Sequence, residues 1–320
     1  MLEVMLVLMV LVMTVSCLHG HAYRCIVRKL CTRPTTRSDR NRPFRCLVKL
    51  ICPDDNSAPQ VFEVKIIGLS LPAPHIRDLL LQILIADVTD GPKYPQPVLS
   101  TYEPWQMEDS PAFCLRSHLH EHLPRQAVST THSAVANIRV DSLKFPRRGI
   151  RKLRFITSVI SPGKGKELAV AAADIDYENG QCGYIDTKEN HQRAESLSVQ
   201  LAVAVCGSTG RLNEAGIRVI RQWIAAKAAA LAQSQTASKT RQRLERSLKE
   251  AVKTLPSSTQ GNIESLCKNI SETATIVQRY VVTELCLQVV RAAGSISQKH
   301  TDVLSRLTKS LKSMQTSFGQ

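Results

Sequence analysis

The chain has 320 residues, 43% of them hydrophobic and 22% charged, a balance that supports packed cores and excludes a wholly disordered, collagen-like or multi-span membrane protein. Aromatic residues are 4%, so the cores must be mainly aliphatic. Lys and Arg total 42 against 27 Asp and Glu, a net charge of +15 that points to an anionic partner without choosing among nucleic acid, acidic lipid and acidic protein.

Residues 4–15 are almost continuously apolar, and with Ser16, Cys17 and Leu18 the run reaches about fifteen residues, short of the roughly 20 that cross a bilayer. Glu3 precedes the run and no Lys or Arg does, whereas Arg24, Arg28, Lys29, Arg33 and Arg37 follow it. Positive charge after an apolar run holds the following chain on the cytoplasmic side. Residues 1–22 therefore read as a signal or membrane anchor, with the bulk of the protein membrane-associated and facing the cytoplasm. A cleaved signal, or an over-extended start that leaves a cytoplasmic protein, stands beside that reading. Residues 23–44 are basic, polar and proline-bearing, and read as a linker.

Cys25 and Cys31 are echoed by Cys46 and Cys52, each pair six positions apart. On an extended strand the two sulfurs of such a pair share a face but lie about 20 Å apart, so one strand cannot clip a metal with both. A four-thiolate metal site, inter-strand disulfides and unpaired thiols remain open, the last being the plainest. Cys206, Cys267 and Cys286 fall on apolar helical faces and read as core packing.

From 45 to 189, short apolar runs alternate with proline- and glycine-bearing turns. Strands are predicted at 44–51, 61–67, 79–86, 112–118, 135–140, 152–159 and 167–173. The run 79–86 is nearly all apolar, as in a central strand, and ends in Asp87-Val-Thr-Asp90-Gly91-Pro92, a turn signal. Strands at this spacing predict an antiparallel β-sandwich.

From 190 to 320 the period changes to that of helices, predicted at 198–206, 213–232, 238–255, 263–270, 273–293 and 298–314. Leu244, Leu248, Val252 and Leu255 form an apolar stripe, while Lys239, Arg243, Arg246, Lys249 and Lys253 cover other faces. This half also repeats itself. An apolar helix, a glycine turn, an aliphatic residue and a second helix occur around Gly210 and again around Gly294. The glycines are expected to take the left-handed helix terminus, and Asn213 and Ser297 to cap the helices that follow. The fold class expected is α+β and multidomain: an N-terminal antiparallel β-sandwich followed by an all-α helical bundle.

The repeated helix–glycine–helix pattern resembles the tellurite-resistance TerB-like helical domain over roughly 190–315. That family carries Asp-Gly turns with an acidic residue a few positions on, linked to metal binding. Here the first turn reads Ser208-Thr209-Gly210 with Glu214 behind it, and the second reads Ala292-Ala293-Gly294 with neither acid. The resemblance thus implies a TerB-like fold and leaves Glu214 as its one metal candidate. The preceding stretch, through 79–90, 105–113, 140–149 and 177–186, is loosely similar to the calcium- and phospholipid-binding β-sandwich. That similarity implies Asp87, Asp90 and Asp109 as loop ligands for calcium; turn-forming aspartates are the bland alternative.

Two further constellations carry chemistry. Lys144, Arg147, Arg148, Arg151, Lys152 and Arg154 gather six cations about one turn, where they could converge on the phosphate of a headgroup or on an acidic protein. His118, His120 and His122 follow Cys114 and on a strand would share one face, a pattern suited to zinc or a similar metal, or simply to a solvated turn. No G-x4-G-K-[ST], G-x-S-x-G, H-E-x-x-H or paired C-x-x-C occurs, so no enzymatic activity is expected and no small-molecule substrate is identified. A divalent metal ion is the sole cofactor candidate. The function expected is that of a non-enzymatic, membrane-proximal adaptor or scaffold in a bacterial stress-response setting of the tellurite-resistance kind. Its partners would be a protein and acidic lipid. A nucleic-acid-binding basic protein and a metal-responsive sensor are the alternatives.

Overall fold

The computed structural model describes residues 44–53, 59–70, 78–101, 113–123, 131–161, 166–208, 212–231, 234–254, 259–294 and single positions between 298 and 309. The expectations for residues 1–43, Asp109, Gly210 and Ser297 lie outside the described residues. The architecture is α+β in two parts: antiparallel sheets within 45–179, then a five-helix bundle within 184–292. The chain divides into two compact units, 1–186 and 187–320.

In the first unit, β1 (Arg45–Ile51), β2 (Val61–Ser70) and β7 (Thr131–Arg139) form one antiparallel sheet in the order β1-β2-β7. The second sheet runs β10 (Lys166–Asn179), β9 (Gly149–Ser161), β3 (Leu80–Asp87), with β4 (Gln96–Pro97) and β6 (Cys114–His118) both pairing with β3. A two-stranded ribbon joins β5 (Leu99–Ser100) to β8 (Leu143–Lys144). Strand β3 is central, as its apolar run predicts. Its partners are β9 on one side (Ile83↔Thr157) and β6 on the other (Ile83↔Leu115).

The inner faces of the two sheets make one core. Phe62, Val64 and Ile66 from β2 and Ala134, Ala136 and Ile138 from β7 meet Leu81, Ile83 and Ile85 from β3 and Leu153, Phe155 and Val159 from β9. The few aromatics are concentrated there: Phe62 lies edge-on to Phe155 at 5.1 Å and to Tyr177 at 5.4 Å, geometry that suits the ring quadrupoles. Strand β2 outlasts its prediction. Gly68, with φ of 81°, sits where the register with β7 shifts, and a bulge carries pairing on to Ser70.

The second unit is built from α1 (Tyr184–Cys206), α2 (Glu214–Ala229), α3 (Ser234–Thr254), α4 (Thr259–Thr273) and α5 (Ile276–Ala292). The last turns of α1, Leu201 to Cys206, are buried on every side, so this helix end is the centre of the bundle. Leu244, Leu248, Leu266, Ile270, Leu285 and Val289 close around it. Helix α1 starts at Tyr184, ahead of the predicted 198; 184–197 is polar and carries little of the apolar periodicity by which a helix is read from sequence. Asn213 caps α2 as expected, its side chain accepting from the Ala215 and Gly216 amides. Gly294 takes the expected left-handed conformation after α5, with φ of 89°. Gly216 is a point of close approach: a Cβ there would lie 2.6 Å from Cys206 Sγ and 3.2 Å from Val289 Cγ1.

Candidate anionic-partner interface

The six cations expected to form one anion site do not act together. Arg151, on the inner face of β9, is buried, and its Nε donates to Asp87 Oδ2 at 2.7 Å. The Asp87 side chain is 1% exposed and that of Arg151 8%. Arg147 donates through Nη1 to Asp186 Oδ1 at 3.2 Å. Arg154 forms a two-pronged bond to Asp174, at 2.6 and 2.7 Å, which holds the Asp174 carboxyl below the usual carboxylate range. Lys144, Arg148 and Lys152 are exposed. The sequence cannot reveal this pairing, because the acids lie 64, 39 and 20 positions from their arginines.

The metal candidates are equally dispersed. Asp87 is committed to Arg151 and, through Oδ1, to the Thr89 amide at 2.9 Å and hydroxyl at 2.6 Å. A guanidinium thus supplies at Asp87 the positive charge that the calcium expectation assigned to a metal. Asp90 is exposed in the turn behind it, and Glu214 is exposed at the first turn of α2. The rings of His118 and His120 lie 5.4 Å apart, but His122 is turned away and bonds Ser117 and the Val135 carbonyl. The physical reason is local: β6 ends at His118 and 119–122 form a 3-10 turn, so the three histidines do not share a strand face. Among the described residues no group of three or more His, Cys, Asp and Glu gathers where it could hold a metal ion. The described cysteines are free thiols: Cys46, Cys206, Cys267 and Cys286 are buried, and Cys52, Cys114 and Cys182 exposed.

The uncompensated charge lies elsewhere. Residues 45–186 hold 16 Lys and Arg against 16 Asp and Glu, whereas 187–320 hold 19 against nine. Within the bundle, Glu195 absorbs part of the excess. It accepts from Arg243 Nη2 at 2.6 Å, with His191 Nε2 at 3.3 Å and Lys227 Nζ at 4.0 Å. Arg243 also donates to the Ser196 hydroxyl and the Gln192 carbonyl, so it points inward. On the face of α3 turned away from buried Leu244 and Leu248, and flanked by Arg243, Lys239, Arg246, Lys249 and Lys253 are all exposed. Their separations of seven, three and four put them on one helical face about 21 Å long, at 1.5 Å per residue. Gln242 sits among them, Glu250 borders them, and Glu245 beside them is taken by Arg241 at 2.9 Å. None of the four makes an ion pair among the described residues. In the sequence these four stand with Arg243 as cations away from the apolar stripe, and nothing in the spacing separates the inward-bonded Arg243 from the rest.

Comparison with known protein families, with curated proteins and with solved structures finds no match for this chain. Among the described residues no helix is long and apolar enough to cross a membrane.

Proposed function

We propose that the protein is a membrane-proximal adaptor whose helical bundle lies on an acidic lipid surface through the outer face of α3. The observation that carries this reading is the row Lys239, Arg246, Lys249 and Lys253, exposed and without an ion pair among the described residues, on a unit with a large positive excess. Each Lys or Arg near an anionic bilayer contributes about 1 kcal/mol, so the row supplies roughly 4 kcal/mol. Three of the four are lysines, which act as point charges, and no aromatic residue stands among them to stack on bases. A diffuse phosphate surface therefore fits better than a nucleic-acid groove. The apolar run at 4–15 and the basic stretch after it support the same location. The TerB-like resemblance of the helix–glycine–helix repeat carries the further proposal of a bacterial stress-response setting, in which the remaining surface of the protein would hold a protein partner.

The test is a titration of the full chain with vesicles of phosphatidylcholine alone and with added phosphatidylserine, in parallel with duplex DNA at matched salt. Preference for the acidic vesicles supports the proposal. Tighter binding to DNA, with a steep salt dependence, would move the protein to the nucleic-acid class.

A further inference from the structure

Beyond the adaptor reading, we propose that Ser117 is a reactive nucleophile, activated by His122 and able to accept an acyl group from a small activated ester. The geometry is specific. Ser117 Oγ lies 2.5 Å from His122 Nε2, and His122 Nδ1 lies 3.2 Å from the Val135 carbonyl oxygen. A carbonyl only accepts, so Nδ1 carries the proton and donates it to Val135. In the neutral ring Nε2 is then the free acceptor, and the Ser117 hydroxyl donates to it. Nucleophile, base and a third group that fixes the base are the three parts of an activated serine.

The fold explains how they meet. Ser117 is on β6, opposite Leu81 of β3, and so on the inner face of its sheet. The 3-10 turn 119–122 brings His122 back over it. Val135 belongs to β7, an edge strand of the other sheet. His122 therefore bridges from β6 of one sheet to β7 of the other, and both it and Ser117 are half-buried, reachable by a small reagent. In the step proposed, Ser117 Oγ attacks the ester carbonyl carbon while His122 Nε2 takes the hydroxyl proton. The bond from that carbon to the leaving oxygen breaks, and the proton passes to the leaving group or to buffer. An acyl-serine and the free alcohol result, with no oxidant or cofactor needed. General-base assistance of this kind is worth about 100-fold or more.

The full chain is incubated with p-nitrophenyl acetate, and acetylated peptides are located by mass spectrometry. Ser117 is expected to label at least about 100-fold faster than the exposed Ser238 of the same molecule, which has no such base. Ser117→Ala removes the label from that peptide while leaving the His122–Val135 bond in place. His122→Gln, whose amide still donates to Val135, slows labelling at Ser117 by a similar factor. Labelling of Ser117 no faster than Ser238, or unchanged in a folded His122→Gln protein, would reduce the pair to a strut between the sheets and overturn the proposal. The Ser117 to Ser238 comparison uses the wild-type protein, so it decides the matter even where the histidine variant does not fold.

Discussion

Arg151 Nε and Asp87 Oδ2 meet at 2.7 Å inside the end of the β-sandwich, two opposite charges taken out of water together. The sequence offers each of them a separate outward task, anion binding for one and calcium for the other. In the fold each is the other's counter-ion. Arg151 Nη2 is left buried without a hydrogen-bond partner, so the pair is held at a cost in desolvation.

Removing one member should therefore be far worse than removing both. Asp87→Ala or Arg151→Ala alone should cost about 3–5 kcal/mol, because each strands a buried charge or its unmet donors. Asp87→Leu combined with Arg151→Met should recover most of that loss. Urea unfolding of the two singles and the double gives the coupling. Single and double losses that simply add would show the two side chains to be independent.

The Arg154–Asp174 pair is half-exposed and belongs to a different class. Its carboxyl is held low mainly by the hydrogen bonds from Arg154. A depressed carboxyl stabilises the fold above its unfolded pKa, about 3.9, and ceases to do so as pH falls through the folded value. Arg154→Gln should lower stability by no more than about 1 kcal/mol at neutral pH, the range of surface pairs. The difference from wild type should vanish under acid conditions in which Asp174 is protonated in both. Chemical denaturation at several pH values reads this out. A gap that widens toward acid would reverse the assignment.

Two glycines are fixed by space. A Cβ on Gly183 would lie 2.1 Å from the Pro146 carbonyl oxygen, where the Tyr184 and Ile185 amides already donate to the Phe145 and Pro146 carbonyls and Asp186 accepts from the Gly183 and Arg148 amides. Gly183→Ala must displace backbone and should cost about 1–3 kcal/mol. Gly216→Ala meets a movable thiol first and should cost less. Thermal melts of the two variants should rank them in that order.

Much of the fold was legible because it rests on local signals. Short apolar runs between turn signals predicted β1, β2 and β3, the last as a nearly continuous apolar run, the switch to a period of 3.6 predicted the bundle, and Asn213 and Gly294 announced the helix ends they form. Where local signal was thin, the reading fell short. The polar first half of α1 was missed, and β10 was ended at 173 although the pairing Asn179↔Gly149 carries it six residues on. The candidate sites were the least legible part. Whether an arginine is free for a partner depends on which acid the fold brings to it, and the acids for Arg151, Arg147 and Arg154 are remote in sequence. Ser117 and His122 are only five apart, yet their meeting depends on a 3-10 turn that no periodicity marks.

Thiol reactivity should separate the described cysteines by burial. Burial pushes the thiols of Cys46 and Cys267 up to about 11, and raises those of Cys206 and Cys286 as well. Little nucleophilic thiolate forms at such sites. Iodoacetamide under native conditions should modify Cys52, Cys114 and Cys182, and reach Cys46, Cys206, Cys267 and Cys286 only in denaturant. Native modification of Cys286 would contradict the packing of the bundle core.

The central claim is that α3 reads an acidic lipid surface. It is tested most directly by the partition of the full chain onto phosphatidylserine-containing vesicles, comparing wild type with a variant in which Lys239, Arg246, Lys249 and Lys253 are all changed to Gln. At about 1 kcal/mol per charge and 1.4 kcal/mol per tenfold, the variant should bind roughly 1,000-fold more weakly, with little change on neutral vesicles. Arg148→Gln with Lys152→Gln, within 45–186 where the charges balance, should have a much smaller effect. Equal affinity of wild type and the α3 variant for acidic vesicles would contradict the account.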